Sequence, residues 1–318
     1  MGILFWVVIF IISLVVLVKA SDYFTDSAEK IGIAFGIPAF VVGVTIVALG
    51  TSLPELVSSI IATAQGNSEI VVGNVIGSNI ANILLVLALA AIFAKKLKIY
   101  FELIHVDLPI LIGSTFLLAL TIIDGEFTWK EGILCLSLLI VYIVYTVHSQ
   151  RETKDEEIIK ELKDVKKKRK VEIKTWIILA VSCFFIYLGA KYTIDSVIKL
   201  SEILQIATEI IAVSAIALGT SLPELMVSIS AARKGKAEMA VGNVLGSNIF
   251  NALLVMGIPS FISTLIIPTS ILVFSLPVML IVTLMYFFIT QDKEITRWEG
   301  WMLLIFYIFF IGKIFSLI

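Results

Sequence analysis

The chain has 318 residues, 59% of them hydrophobic and 15% charged, with a formal net charge of −1 and a mean hydropathy of +1.06. Soluble domains are nearer about half apolar and about a quarter charged, so a soluble globular protein is excluded; the near-zero charge balance says little about partners, and no nucleic-acid partner is expected. The apolar residues fall in blocks of about 20, long enough for a helix to cross about 30 Å of hydrocarbon, whereas a membrane barrel would show short alternating segments.

The first block, 2–20, is uncharged up to Lys19 and lacks the basic start and small-residue cleavage site of a signal peptide, so it reads as a retained helix. Further segments follow at 38–64, 70–93, 104–123 and 130–149. A polar interruption from Gln150 to Lys174, rich in Lys, Arg, Glu and Asp, comes next. Five more segments complete the chain at 175–198, 207–232, 239–264, 269–290 and 298–317. Cys135 and Cys183 lie in apolar runs and read as packing residues, with neither disulfide framework nor zinc spacing. His105 and His148 are far apart near segment ends, and no metal or catalytic role is expected of them.

The sequence repeats itself at an offset of 169 residues. Ala48-Leu49-Gly50-Thr51-Ser52-Leu53-Pro54-Glu55-Leu56 returns letter for letter as Ala217 to Leu225, and Gly77-Ser78-Asn79-Ile80-Ala81-Asn82 returns as Gly246-Ser247-Asn248-Ile249-Phe250-Asn251. Asp26-Ser27, Lys30 and Trp129 recur as Asp195-Ser196, Lys199 and Trp298. Each half, 1–149 and 175–318, is therefore one copy of a five-helix unit, joined by the 150–174 linker. Five is odd, so the second copy enters the membrane from the opposite side. The expected fold is an all-α polytopic membrane protein of ten transmembrane helices in two inverted-topology repeats, an architecture of secondary transporters.

Basic residues set the orientation. With the N-terminus outside, only Lys130, Lys191, Lys199 and Lys313 of the 24 Lys and Arg stay outside. Both termini are then outside and the 150–174 loop is cytoplasmic. The Lys166-Lys167-Lys168-Arg169-Lys170 run fits a solvated linker that obeys this rule.

The duplicated motifs carry the chemistry. Gly50 and Pro54 weaken the second segment at mid-span, and Pro54 frees a carbonyl near position 50. Freed carbonyls in lipid must find partners or line a cavity. Here they sit beside the Thr51 and Ser52 hydroxyls and the Glu55 carboxylate. Ser78 and Asn82, four residues apart, share one face of the third segment, where Gly73, Gly77 and Ala81 allow a close neighbour. Thr220, Ser221, Pro223, Glu224, Ser247 and Asn251 repeat the set. All these groups offer oxygen, as Na⁺ and Ca²⁺ require, and neither motif holds a thiolate or imidazole for a softer metal. A lone carboxylate at mid-membrane costs several kcal/mol, and no Lys or Arg lies in these segments to pair with either glutamate. Two glutamates balance one Ca²⁺, two Na⁺ or two protons. Such a site is costly to carry empty across the membrane, which favours an obligate exchanger over a uniporter or channel.

The paired Gly-Thr-Ser-Leu-Pro-Glu and Gly-Ser-Asn motifs resemble the two alpha-repeats of the cation/calcium exchanger superfamily, most closely its prokaryotic sodium/calcium exchanger branch. The resemblance spans nearly the whole chain, with alpha-repeats at about 38–93 and 207–264. It implies four core helices in a diamond around the ions, and first and sixth segments that slide to alternate access. It implies that Glu55 and Glu224 bind both Ca²⁺ and Na⁺. Thr51, Ser52, Thr220, Ser221, Ser78 and Ser247 would supply oxygens mostly to Na⁺, joined by the carbonyls of Ala48 and Ala217. Archaeal members of that branch carry Asn and then Asp at the positions of Asn82 and Asn251, whereas this chain has Asn at both. The departure removes one titratable carboxyl from the centre. Calcium/proton exchangers of the superfamily carry Gly-Asn-x-x-Glu where this chain has Gly-Thr-Ser-x-Pro-Glu, which favours Na⁺ as counter-ion.

The expected protein is thus a multi-pass plasma-membrane Na⁺/Ca²⁺ antiporter, electrogenic, working as a monomeric transport unit in the lipid bilayer. It needs no cofactor beyond the transported ions. The alternative is a Ca²⁺ exchanger driven by H⁺ or dependent on K⁺. An enzyme is not expected: there is no His-Glu-x-x-His run, and both histidines lie outside the duplicated core. A channel would conduct without a gradient of a second ion.

Overall fold

A computed structural model describes residues 2–34, 48–94, 96–98, 107–152, 171–233, 235 and 237–317. Most of the 150–174 linker, with its basic run, lies outside the described residues, as do the first part of the 38–64 segment, His105, Lys95, Lys234 and Lys236.

The described chain is helical apart from two small strand pairs. Among the described residues seven helices are long and apolar enough to cross a membrane: Ile3–Gly32, Glu69–Ala94, Trp129–Thr146, Ile173–Leu204, Thr208–Arg233, Ala240–Phe261 and Ile271–Thr290. Two shorter apolar helices, Leu53–Ala64 and Leu108–Thr121, occupy the described parts of two further predicted segments. The last segment forms the helix Arg297–Ile314, which carries Arg297, Glu299 and Lys313 and opens with a capping box between Thr296 and Glu299.

α1 (Ile3–Ala34) runs past the predicted end at 20. Its continuation, from Lys19 to Lys30, is polar but holds neither Gly nor Pro, so nothing stops the helix before Gly32. α8 (Ile173–Leu204) has the same length of 32 residues, about 48 Å, well beyond the hydrocarbon thickness. The two pack along one another, and their closest approach uses Gly189, where a Cβ would stand 2.8 Å from the Leu17 backbone. Thr193 donates to Ser13 at 3.0 Å in the same crossing.

Their outer faces are apolar and open. Leu4, Val8, Ile12 and Val15 on α1, and Ile177, Val181 and Phe184 on α8, are exposed. Water would not tolerate such a stripe, whereas acyl chains would. The inner layer is the reverse. In Glu69–Ala94 and Ala240–Phe261, 83% of the most apolar stretch is buried, against 22% in α1 and α8. The core therefore consists of α4 (Glu69–Ala81) and α12 (Ala237–Phe250) with the helices that carry the duplicated glutamates.

Each strand pair joins the two halves. β1 (Lys96–Lys98) runs antiparallel to β4 (Glu294–Thr296), with Leu97 opposite Ile295. β2 (Glu126–Phe127) runs antiparallel to β3 (Leu265–Ile266). At the repeat offset β1 corresponds to β3 and β2 to β4, so each pair is the image of the other.

Candidate cation site at the centre of the protein

Both copies of the glutamate motif break their helix at the same residue. α2 (Ala48–Thr51) stops and α3 (Leu53–Ala64) starts around Ser52, at φ −83° and ψ 4°. α10 (Ala217–Thr220) and α11 (Leu222–Arg233) meet around Ser221, at φ −79° and ψ 5°. Pro54 and Pro223 contribute to the break, since each lacks the N–H that would bond one turn back. The chain re-enters a helix at once, so Glu55 and Glu224 stand in the first turn of α3 and α11, where the helix dipole favours an anion.

Ser78 and Asn82 lie at the end of α4, and Ser247 and Asn251 around the end of α12. In both helices the asparagine opens a π segment, Asn82–Leu87 and Asn251–Val255. Such bulges loosen the backbone ladder and recur at functional sites. α4 reaches the second glutamate motif through its glycines. A Cβ at Gly77 would stand 2.3 Å from the Val213 carbonyl and 2.7 Å from the Ala217 Cβ. Only glycine allows that approach.

The result brings the predicted site residues together from both halves. Thr51, Ser52, Glu55, Ser78, Asn82, Thr220, Ser221, Glu224, Ser247 and Asn251 are all buried, both glutamates completely. Ser78 donates to Glu55 at 3.4 Å, and the Thr220 hydroxyl of the other half faces the same carboxylate. Thr51 and Ser247 face Glu224 in turn, and their hydroxyl oxygens are 3.2 Å apart. Each carboxylate thus meets the serine of its own half and the threonine of the opposite one. The two carboxylates are also within electrostatic range of each other. Ala217 lies in this layer, and its carbonyl accepts the Ser221 N–H at 3.1 Å. Ala48 lies in α2, one turn before Ser52.

Three ion pairs among the described residues, Lys19–Asp22, Lys96–Glu294 and Lys199–Glu202, lie at partly exposed positions and leave both buried glutamates without a cationic partner. Instead the site is full of unpartnered oxygens: Glu55 Oε2, both oxygens of Glu224, the hydroxyls of Ser52 and Ser221, and Oδ1 of Asn82 and Asn251. An unmade hydrogen bond on a buried polar atom costs about 1–3 kcal/mol, and more on a charged one. Oxygens left open in such number, two carboxylates among them, are of the kind that hard cations take. Among the described residues no three His, Cys, Asp or Glu gather, and the open oxygens other than the carboxylates' belong to hydroxyls and amides.

Comparison with known proteins agrees. The family described as "Sodium/calcium exchanger protein" matches residues 5–148 and 174–315, nearly all of both halves. The chain belongs to the sodium/calcium exchanger family. The sodium/calcium exchanger MaX1 of Methanosarcina acetivorans is 35% identical, over 96% of this chain and 97% of that protein. The uncharacterized membrane protein MJ0091 of Methanocaldococcus jannaschii is 32% identical over 96% of each. Among solved structures, the sodium-calcium exchanger NCX_Mj soaked with 2.5 mM Na⁺ and 10 mM Sr²⁺ superposes with a TM-score of 0.70 at 30% identity, covering 98% of this chain and 99% of that one. The same exchanger soaked with 2.5 mM Na⁺ and 0.1 mM Ca²⁺ gives 0.69 at 31% identity. As a member of this family the protein is a multi-pass membrane ion exchanger, not an enzyme.

Several further polar residues, given no role by the sequence alone, are buried in the same core. Asn79 and Asn248, equivalent in the repeat, form a reciprocal pair. Each Nδ2 donates to the other's backbone carbonyl at 3.3 Å, as residues on a local two-fold do. Asn74 and Asn243 are a second equivalent pair. Asn243 Nδ2 donates to the Glu224 carbonyl at 3.2 Å and to Ser228 Oγ at 3.0 Å, and Ser228 donates to the Ala240 carbonyl at 3.3 Å. Asn74 Oδ1 instead accepts the Thr220 hydroxyl at 3.4 Å, and its nitrogen and the Ser59 hydroxyl are unpartnered. The repeat alone held the signal for these residues: Gly73-Asn74 recurs as Gly242-Asn243 at the common offset.

Proposed function

We propose that the protein exchanges Na⁺ for Ca²⁺ by alternating access at one mid-membrane site built on Glu55 and Glu224. The observation that carries this reading is the pair of fully buried carboxylates, with no Lys or Arg partner among the described residues and with unpartnered hydroxyl and amide oxygens in the same motifs. Ca²⁺ takes six to eight oxygens, and the two carboxylates cancel its charge. Two Na⁺ balance the same charge. A further Na⁺ held by the neutral oxygens of Thr51, Ser52, Ser78, Thr220, Ser221 and Ser247 would move net charge, so the exchange is electrogenic. A membrane potential set with valinomycin and K⁺ should change the initial rate of Ca²⁺ uptake, and an unchanged rate removes this element.

Ten crossings in two inverted repeats belong to the same reading. The strand pairs support it: six predicted segments separate β1 from β4 and four separate β2 from β3, even numbers that return each partner to the same side. The reciprocal Asn79–Asn248 pair supports a two-fold between the halves. α1 and α8, long and lipid-facing, are the elements free to slide. Leu14 of α1 packs over Gly219 in the second glutamate motif, which gives that sliding a direct contact with the site. Both glutamates come from one chain, so a monomer is a complete transport unit. The proposed location is the plasma membrane, with both termini outside and the central loop in the cytoplasm. No cofactor is invoked beyond the transported ions.

Radiocalcium uptake into Na⁺-loaded proteoliposomes tests the reading. Wild-type uptake above Na⁺-free controls is expected, with none for Glu55→Gln or Glu224→Gln. Uptake that needs an H⁺ gradient or added K⁺ instead of internal Na⁺ would replace the counter-ion and keep the site.

A further inference from the structure

As candidate ligands of the proposed site, Asn82 and Asn251 are neutral and carry a directional ambiguity. A side-chain amide offers an acceptor oxygen at one end and two N–H donors at the other. A cation can use only the oxygen. A buried asparagine therefore serves a cation only if something else takes its nitrogen, since an unpaired N–H₂ is both costly to bury and repelled by the ion.

Asn82 has such a partner. Its Nδ2 donates to Asn248 Oδ1 at 3.0 Å, across the boundary between the halves, and its Oδ1 is left open. Asn248 is itself fixed, because its own Nδ2 donates to the Asn79 carbonyl and its carbonyl accepts the Asn79 Nδ2, both at 3.3 Å. Asn248 thus has every reason to keep its oxygen turned to Asn82. The repeat supplies the equivalent pair, Asn79 Oδ1 for Asn251 Nδ2. Here those two atoms are unpartnered, as is Asn251 Oδ1, although all are buried.

From this we infer that Asn79 and Asn248 are positioning residues of the cation site. Each takes the amide nitrogen of the opposite half's site asparagine, Asn251 or Asn82, and so turns that side chain's oxygen to the ion. The first such contact is made in the present structure. The second is open in the present structure, both its atoms unpartnered, and closes when a cation draws the Asn251 oxygen inward. A carboxylate would need no such partner, since both of its ends accept. The inference rests on the Na⁺/Ca²⁺ reading of the site and names what makes a pair of amides work there.

A double-mutant cycle tests it. The full-length protein is reconstituted for half-saturating Ca²⁺ and maximal rate, and purified in detergent for Ca²⁺ titration calorimetry. Asn248→Ala is expected to raise half-saturating Ca²⁺ about tenfold, the worth of one oriented hydrogen bond, with the maximal rate little changed. On an Asn82→Ala background the same substitution should add nothing. On Asn82→Asp it should cost less than about twofold, because the carboxylate is oriented either way. Equal losses on all three backgrounds, or no loss on the wild type, overturn the inference. If Asn248→Ala does not fold, the mirrored cycle of Asn79→Ala against Asn251→Ala and Asn251→Asp decides by the same criteria. A wild type that binds Ca²⁺ in calorimetry but does not exchange it for Na⁺ defeats the antiport reading alone, and the binding cycle then rules on the asparagines.

Discussion

In the first half of the protein Asn74 leaves its amide nitrogen and the neighbouring Ser59 hydroxyl unpartnered and turns its oxygen across to Thr220. In the second half the equivalent Asn243 ties its nitrogen to the Glu224 carbonyl and to Ser228. The asparagine layer differs in the same way: Asn248 accepts from the Asn82 amide, whereas the Asn251 amide has no hydrogen-bond partner at either end. The sequences at these positions are the same. The same polar set is thus satisfied differently in its two copies. The contrast teaches that identical motifs do not give identical hydrogen bonding once one fold must hold both.

The largest test of this contrast is whether the two carboxylates are equal. Glu55→Gln and Glu224→Gln should each lower Ca²⁺ uptake by about 100-fold or more, since each removes a charge from a buried charge pair with the ion. Uptake assays in which one variant retains substantial activity would show that the halves divide the ion unequally.

Next in size is the seam between the halves. Gly77→Ala places a methyl group 2.3 Å from the Val213 carbonyl and 2.7 Å from the Ala217 Cβ. Forced overpacking of this kind costs about 1–3 kcal/mol, so the melting temperature in detergent should fall and Ca²⁺ uptake with it. An unchanged melt would mean that α4 and the second glutamate motif are farther apart than described.

The asparagine pair sharpens the comparison directly. Asn243→Ala removes a donor that makes two hydrogen bonds and should destabilise by about 1–2 kcal/mol. Asn74→Ala removes only a long bond from Thr220 and should cost less, about 0.5 kcal/mol. Thermal or denaturant melts of the two variants, side by side, measure the difference. Equal costs would indicate that the halves are alike in solution.

The smallest effect belongs to the periphery. Lys96 pairs with Glu294 at 2.6 Å across the β1–β4 clip, with both side chains partly exposed. Lys96→Ala should cost under about 1 kcal/mol, and less still at high salt. Melts at low and high ionic strength check this, and a large salt-independent loss would give the clip a greater role.

Much of this was legible in the chain. Hydropathy blocks located the helices because a backbone in lipid must satisfy itself, which leaves few alternatives to the helix. The 169-residue repeat located the glutamates and their hydroxyl neighbours, because a carboxylate in an apolar run has no bland explanation. Pro54 and Pro223 announced the helix breaks. The extent of α1 beyond residue 20 was not legible from hydropathy, which registers the lipid boundary and not the end of a helix. The partners of Asn79 and Asn248 were also not legible, although both stand inside the quoted motif.

The sequence alone therefore determined which residues are apolar enough to enter the membrane, where the helices weaken, and which oxygens are duplicated. Those properties are local: they depend on one residue and its neighbours within a turn. Only the tertiary structure decided that Thr220 faces Glu55, that Gly77 admits Ala217, and that Asn248 holds Asn82. Such contacts join residues 140 or more positions apart, and nothing in a one-dimensional pattern states which faces of two helices will meet. Packing at the central crossing, where small residues let the helices close up, made that choice.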